Sequence, residues 1–367
     1  MQLTRKIFIF LLSTGLTMTA CQLTPVHKIK PTNVREDYQP VTPGSIGGTV
    51  VGSTLLANTA SDIPITEQTV LLDARSAFEY STSHVRGSYH LRWEDFTQKD
   101  DNYKGLLVED LFFHTRRLAR MGIGPNTPVV IFGAGPTGDA SEGRLAWTLK
   151  YLGVADVQIM AMGSTRLPQT SVPTDPKLEV PVWRPQQQPE PTSKPKPESE
   201  SVSEQTRSSI KTMTLSSTNT IKNLSDLKEK TQQRTVWIID VRSEKEYLRQ
   251  KKEKATMKEN DPVEKLNQVC VHCEVINIPW KHFLTHEGTC NPQVIEELKN
   301  IQILNSDRQR KTLILTSFDG VSSALATYCL QGLLSKFEGG RDSSIKSNSN
   351  FVNVNVFPIE GGYQAIF

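Results

Sequence analysis

Three groups of residues in this chain have the types and spacing to do chemistry. The densest is Cys270-Val271-His272-Cys273, followed by His282, His286 and Cys290. Two cysteines separated by two residues suit a zinc ion, but a structural site needs a second pair of ligands at comparable spacing, and the remaining ones stand too close. No metal is therefore expected. In an oxidising compartment Cys270, Cys273 and Cys290 are instead expected to form a disulfide among themselves, with thiol chemistry at Cys273 as the alternative. Cys329, on the apolar face of a helical pattern, reads as core. The second group is Gly133-Ala134-Gly135-Pro136-Thr137-Gly138-Asp139, directly after the apolar run Val129-Val130-Ile131-Phe132. Gly133, Gly135 and Gly138 have the spacing of a phosphate-cradling loop, but dinucleotide binding also requires an acid at the end of the following strand, and Val157 to Met160 has none. No cofactor is expected. The third is Ser317, which follows the run Thr312 to Leu315 and precedes Asp319, Gly320 and Ser322. A serine nucleophile needs a general base, and no sequence feature supplies one.

These loops hang on elements that occur twice. Val70-Leu71-Leu72 is short and apolar enough for a buried parallel strand and ends at Asp73. Ser76 then reads as a helix N-cap, with Glu79 three residues on as the other half of a capping box. A short helix through Phe78, Glu79 and Tyr80, a tight connection at His84 to Ser88, and Trp93-x-x-Phe96 complete the order. The same order returns in Val236 to Ile239, Asp240-Val241-Arg242-Ser243-Glu244-Lys245-Glu246-Tyr247, and Trp280-x-x-Phe283. The second copy carries about 20 extra residues between its Asp and its Trp, a loop-sized insertion. A repeat of this length means two copies of one domain.

The set Asp73, Arg75, Phe78, Glu79, Tyr80, His84, Gly87, Trp93 and Phe96 resembles the opening motif of the rhodanese family, sulfurtransferases and their relatives. The resemblance implies an α/β fold of two tandem rhodanese-like domains, each a central parallel sheet flanked by helices. In active members the fourth strand leads into a loop whose first residue is a cysteine. Backbone N–H groups and a helix N-terminus favour its thiolate, which carries a sulfane sulfur as a persulfide. Aligning strand to strand places Gly133 at this position in the first domain and Ser317 in the second. Neither can hold a sulfane sulfur, and Ser322 stands where the family commonly has an arginine. The ligand loops are thus Gly133, Gly135 and Gly138, and Ser317, Gly320 and Ser322. The expectation is a binding or scaffolding module without sulfurtransferase activity, with sulfur transfer through a displaced thiol such as Cys273 as the alternative. Its partner is expected to be an unknown protein or a small anionic ligand, although Asp139 and Asp319 oppose an anion.

The rest of the chain bounds this reading. Its 367 residues hold two ordinary domains with linkers, and a net charge of +3 carries no nucleic-acid footprint. Arg5 and Lys6 precede an apolar run from Ile7 to Leu16, too short to span a bilayer, and then Thr19-Ala20-Cys21. This resembles a bacterial lipoprotein signal over residues 1–20, with Cys21 lipidated and the chain tethered to the envelope. Gln22 after the cysteine favours the outer membrane, facing the periplasm. Residues 21–60, rich in Pro and Gly, read as a flexible stalk; 61–164 as the first domain; 165–209, with its recurrent prolines, as a disordered linker; and 210–367 as the second domain.

Overall fold

The computed structural model describes residues 57, 59–98, 105–108, 110–174, 180–185, 220–231, 236–253, 270, 273–304, 311–339 and 354–359. The expected signal with Cys21, nearly all of the expected stalk, most of the expected linker and the bulk of the insertion in the second copy lie outside these residues. No helix among the described residues is long and apolar enough to cross a membrane.

The first half runs β1 (Val70–Asp73), α1 (Ala77–Thr82), β2 (His84–Val85), β3 (Tyr89–His90), α2 (Leu111–Arg120), β4 (Val129–Gly133), α3 (Ser141–Tyr151), β5 (Val157–Ala161) and β6 (Gln169–Thr170). Its main sheet has the order β3-β1-β4-β5, all parallel. The second half runs α4 (Leu224–Thr231), β7 (Val236–Asp240), α5 (Glu244–Glu253), β8 (Cys273–Asn277), α6 (Gln293–Asn300), β9 (Lys311–Thr316), α7 (Val321–Gly339) and β10 (Val354–Pro358). Its sheet reads β8-β7-β9-β10, also parallel, so the strand order is the same in both halves. A parallel sheet covered on both faces needs apolar side chains on both, which is why β4 and β5 are apolar runs buried throughout.

The repeated motif builds the same local structure twice. Ser76 caps α1, its hydroxyl accepting from the Glu79 amide while the Glu79 carboxylate accepts from the Ser76 amide at 3.1 Å. Ser243 and Glu246 repeat this at the start of α5, at 3.3 and 3.0 Å. Each such cap stabilises its helix by about 1 kcal/mol. Trp93–Phe96 and Trp280–Phe283 each form a 3-10 turn whose Phe is fully buried.

The two halves share one core. Helix α3 packs on α7 so closely that a Cβ on Gly143 would fall 2.3 Å from a Leu325 side-chain carbon. The Tyr328 hydroxyl, wholly buried, donates to the Val157 carbonyl across the interface at 2.7 Å. The turn before Cys290 also docks on the first half: the Ala161 amide donates to the Glu287 carbonyl at 2.7 Å, and the Ala60 amide to the Glu287 carboxylate.

Both boundaries of the first domain differ from the sequence reading. The first domain begins by Ala57, whose amide donates to Gln158, rather than at residue 61. It also extends past 164 into what was expected to be disordered linker. There β6 pairs with β2, the Val180 amide donates to Ala119, and the Trp183 indole donates to the Leu152 carbonyl at 2.9 Å. Proline spacing concealed this because the anchoring side chains, above all Trp183, are isolated within a polar run. Helix α2 starts at Leu111, where the Asp110 side chain accepts from the Phe112 and Phe113 amides and fixes the first turn.

Candidate functional site

Each sheet ends, at the C-terminal edge of its central strands, in a loop held beside an Asp-x-Arg turn. Asp73 is fully buried at the end of β1 and accepts from the Arg75 backbone amide at 3.0 Å and from its guanidinium at 3.1 and 2.7 Å. The Arg75 guanidinium also donates to the Ser83 carbonyl. Asp240 and Arg242 repeat the pairing at the end of β7, with the guanidinium at 2.5–3.0 Å. Removing one partner of such a pair would leave a buried charge, so these arginines are committed to the fold.

The first loop runs from Gly133 at the end of β4 to Ser141 at the start of α3. Gly133 has no side chain, yet the space above its Cα is filled. A Cβ built there would lie 2.3 Å from the Glu142 carboxyl carbon and from one of its oxygens. Glu142 reaches back from the first turn of α3 and is 1% exposed. The amides of Gly135 and of Glu142 itself face the carboxyl, but neither oxygen closes a hydrogen bond. Burial pushes its pKa up to about 7; its own amide and that of Gly135 pull the other way, and Asp139 adds to the rise. Gly135 is required by its left-handed φ of +60° and by a neighbour, since its Cβ would stand 2.8 Å from that of Ala161. The phosphate-loop spacing thus has a packing cause.

A cavity of about 320 Å³ opens beside this loop, lined among others by Arg75, Glu79, Arg92, Gly133, Asp139 and Glu142. Its charge is not that of an anion site. Arg75 is tied to Asp73, and the Arg92 guanidinium contacts Glu94. Burial raises the Glu94 pKa, and Asp139 raises it further; Asp139 also adds to the rise at Glu142, so its charge is felt both at the cavity and behind Arg92. A small anion, one of the expected ligands, would meet Asp139 and Glu79 there beside two guanidinium groups that already face carboxylates.

The second loop keeps a different arrangement. Ser317 is 2% exposed, and its Oγ accepts from the Gly320 amide at 3.0 Å and the Ser323 amide at 3.3 Å. The Ser323 hydroxyl lies 3.2 Å away. Ser323 is in the first turn of α7, so Oγ sits at the positive end of that helix dipole. Asp319 accepts from the Val321 amide at 3.0 Å and caps the helix instead of facing Ser317. Ser322, expected among the ligand-loop residues, is half-buried, while Phe318 is 54% exposed at the rim. No general base is hydrogen-bonded to Ser317 among the described residues.

The alternative thiol, Cys273, stands away from the second loop. Cys270 is bonded to Cys273, and Cys290 to Cys329. Cys329 is therefore a bridge as well as a core residue. Cys273 opens β8 opposite Val236, whereas Ser317 follows Thr316 at the far end of the sheet. Four residues of strand separate those two levels, about 13 Å. Sequence reasoning missed Glu142 and Arg92. Glu142 had one available sign, an acid in the first turn of the helix after the loop, but that position ordinarily reads as a complement to the helix dipole.

With this geometry in hand, comparisons locate the fold. Residues 56–167 match the family described as the rhodanese-like domain. No curated protein sequence matches the chain. The 3-mercaptopyruvate sulfurtransferase from Leishmania major is similar at a TM-score of 0.50 and 13% identity, over 85% of this chain and 74% of that one. YnjE is similar at 0.50 and 14%, over 83% of this chain and 61% of its own. SseA from Escherichia coli, described as a 3-mercaptopyruvate sulfotransferase with the rhodanese fold, is 17% identical over 81% of this chain and 93% of its own, at a TM-score of 0.49. Identities this low speak to the fold alone.

Proposed function

We propose that this chain, whose residues 56–167 are a rhodanese-like domain and whose two halves share the sulfurtransferase fold, is a non-catalytic binding module of the bacterial cell envelope. The observation that carries the proposal is the absence of sulfur at the head of both loops. Gly133 offers no side chain, and Glu142 fills the space; Ser317 offers an oxygen, which neither ionises near neutral pH nor holds a sulfane sulfur. Among the described residues every cysteine is in a disulfide, so a displaced thiol such as Cys273 would first need a reductant. The lipid anchor on Cys21 and the outer-membrane location rest on the layout of residues 1–22. In this reading the protein is held at the membrane by its acylated cysteine and presents the paired domains as a docking body.

The test is sulfur transfer from thiosulfate to cyanide by the full chain, beside its Cys270→Ser, Cys273→Ser and Cys290→Ser variants. Turnover no greater than in buffer is expected. Turnover that one substitution abolishes overturns the reading and identifies the thiol.

A further inference from the structure

We infer that the cavity beside the first loop binds a small organic cation carrying N–H donors, an ammonium or a guanidinium, with Glu142 as its buried acceptor. This rests on reading the loop as a binding site rather than a sulfur carrier. Three observations carry it. The cavity, about 320 Å³, has the size of a small-molecule site and sits at the carboxyl end of a parallel sheet, where α/β folds collect ligands. Its two arginines each already face a carboxylate, Arg75 the buried Asp73 and Arg92 the half-exposed Glu94. Its acids retain acceptor capacity: Asp139 is exposed at the mouth and spends one oxygen on the Ser141 amide, and the Glu142 carboxyl, faced by its own amide and that of Gly135, closes no hydrogen bond with either oxygen.

A buried carboxyl whose oxygens close no hydrogen bond is costly, and a native fold seldom keeps one without a use. Here the cost is contained because the group can stay protonated. An N–H cation entering the cavity changes that balance. It supplies the missing donor and offsets the repulsion from Asp139, so Glu142 releases its proton to solvent and forms a charge-assisted pair. The carboxyl is covered by its neighbours, so the pair forms when the Glu142 side chain rotates toward the cavity that it lines. Glu79 adds a further negative charge at the rim, where it caps α1.

The probes are 1,4-diaminobutane and agmatine, titrated calorimetrically into the full chain, with tetramethylammonium as a cation lacking N–H donors and thiosulfate as the anion. At least one N–H cation is expected to bind saturably, with tetramethylammonium at least ~10-fold weaker and thiosulfate not binding. Binding should release close to one proton at about pH 6 and almost none above pH 8, seen by repeating the titration in buffers of different ionisation enthalpy. Glu142→Gln should lose ~10-fold or more in affinity and the proton release with it. Asp139→Asn, at an exposed position where folding is not at stake, should weaken binding by a smaller factor. Absence of saturable binding of both N–H cations, or binding unchanged in both variants, overturns the inference. Thiosulfate turned over to thiocyanate in the same preparation would overturn the non-catalytic reading; no turnover together with no cation binding sinks the cation site alone.

Discussion

Replacing Ser317 by cysteine tests whether the second loop is still a thiolate cradle. The side chain is 2% exposed and takes two backbone N–H bonds, from Gly320 at 3.0 Å and Ser323 at 3.3 Å, at the start of the long helix α7. Bonds to a charged acceptor contribute about 1.5 kcal/mol each at the low end, and the helix dipole about 0.5 kcal/mol. Together these favour a thiolate by about 3.5 kcal/mol. Burial, with Asp319 two residues away, opposes it by about 1 kcal/mol. The remainder, about 2.5 kcal/mol, lowers the thiol pKa by close to two units, from about 8.5 to about 6.5. The readout is thiolate absorbance in the far ultraviolet against pH, with the wild type as the blank, because it needs no reagent to enter the loop. Stability gives a second readout. The folded pKa lies below the unfolded one, so the added stability is fully present above about pH 8.5 and is lost as pH falls through about 6.5. The variant should therefore gain about 2.5 kcal/mol over wild type between those limits in denaturant titrations. A thiol titrating at or above 8.5 would refute the reasoning, since the N–H groups would then be satisfied by a neutral hydroxyl and would not form a cradle for charge.

Two further outcomes follow from the structure. Glu142 has a folded-state pKa of about 7 against an ordinary 4.5, so its contribution to stability is greatest below pH 4.5 and declines as pH rises to about 7. The total loss is about 3 kcal/mol, and Glu142→Gln should flatten that part of the pH–stability curve in chemical denaturation. The Cys290–Cys329 bridge closes a separation of 39 residues and ties the turn at Glu287, which docks on the first domain, to helix α7. Replacing both cysteines by serine should cost about 4 kcal/mol on chain entropy, read as a lowered thermal midpoint; reductant should lower the midpoint of the wild type more than that of the variant, which keeps only the short Cys270–Cys273 bridge.

The fold was legible because its determinants are local and occur twice. Two apolar runs ending in Asp-x-Arg, each followed by a Ser-x-x-Glu cap, fix a strand, a turn and a helix before any tertiary contact is considered. The identities of the loop heads, Gly133 and Ser317, could likewise be read by aligning strands. What occupied those positions in space could not. Glu142 fills the place of a missing side chain nine residues earlier in the sequence, and only the path of the loop brings the two together. Trp183 was hidden for a related reason: one aromatic in a proline-rich run carries no periodicity, and its anchor, the Leu152 carbonyl, lies at the end of a helix 31 residues away. The partner of Cys290 was misjudged because Cys329 fits an apolar helix face equally well whether or not it is bridged.

The two loops depart from a sulfur-carrying site in physically different ways, and this argues against one shared role. At Ser317 the change is a single atom: the N–H donors, the helix terminus and the burial all persist, so the oxygen occupies an electropositive niche. At Gly133 the niche itself has been filled by a carboxyl, and the surroundings have turned acidic through Glu94 and Asp139. A cysteine restored at 133 would collide with Glu142, because the Cβ alone lies within 2.3 Å of it. Such overpacking typically costs 1–3 kcal/mol, so recovery there would require a second change at 142. The first loop therefore presents a buried carboxyl, while the second presents an oxygen ringed by N–H donors. A ligand that exploits the difference would be recognised by the first domain, with the second domain acting as the rigid body against which α3, the helix that carries Glu142, is held.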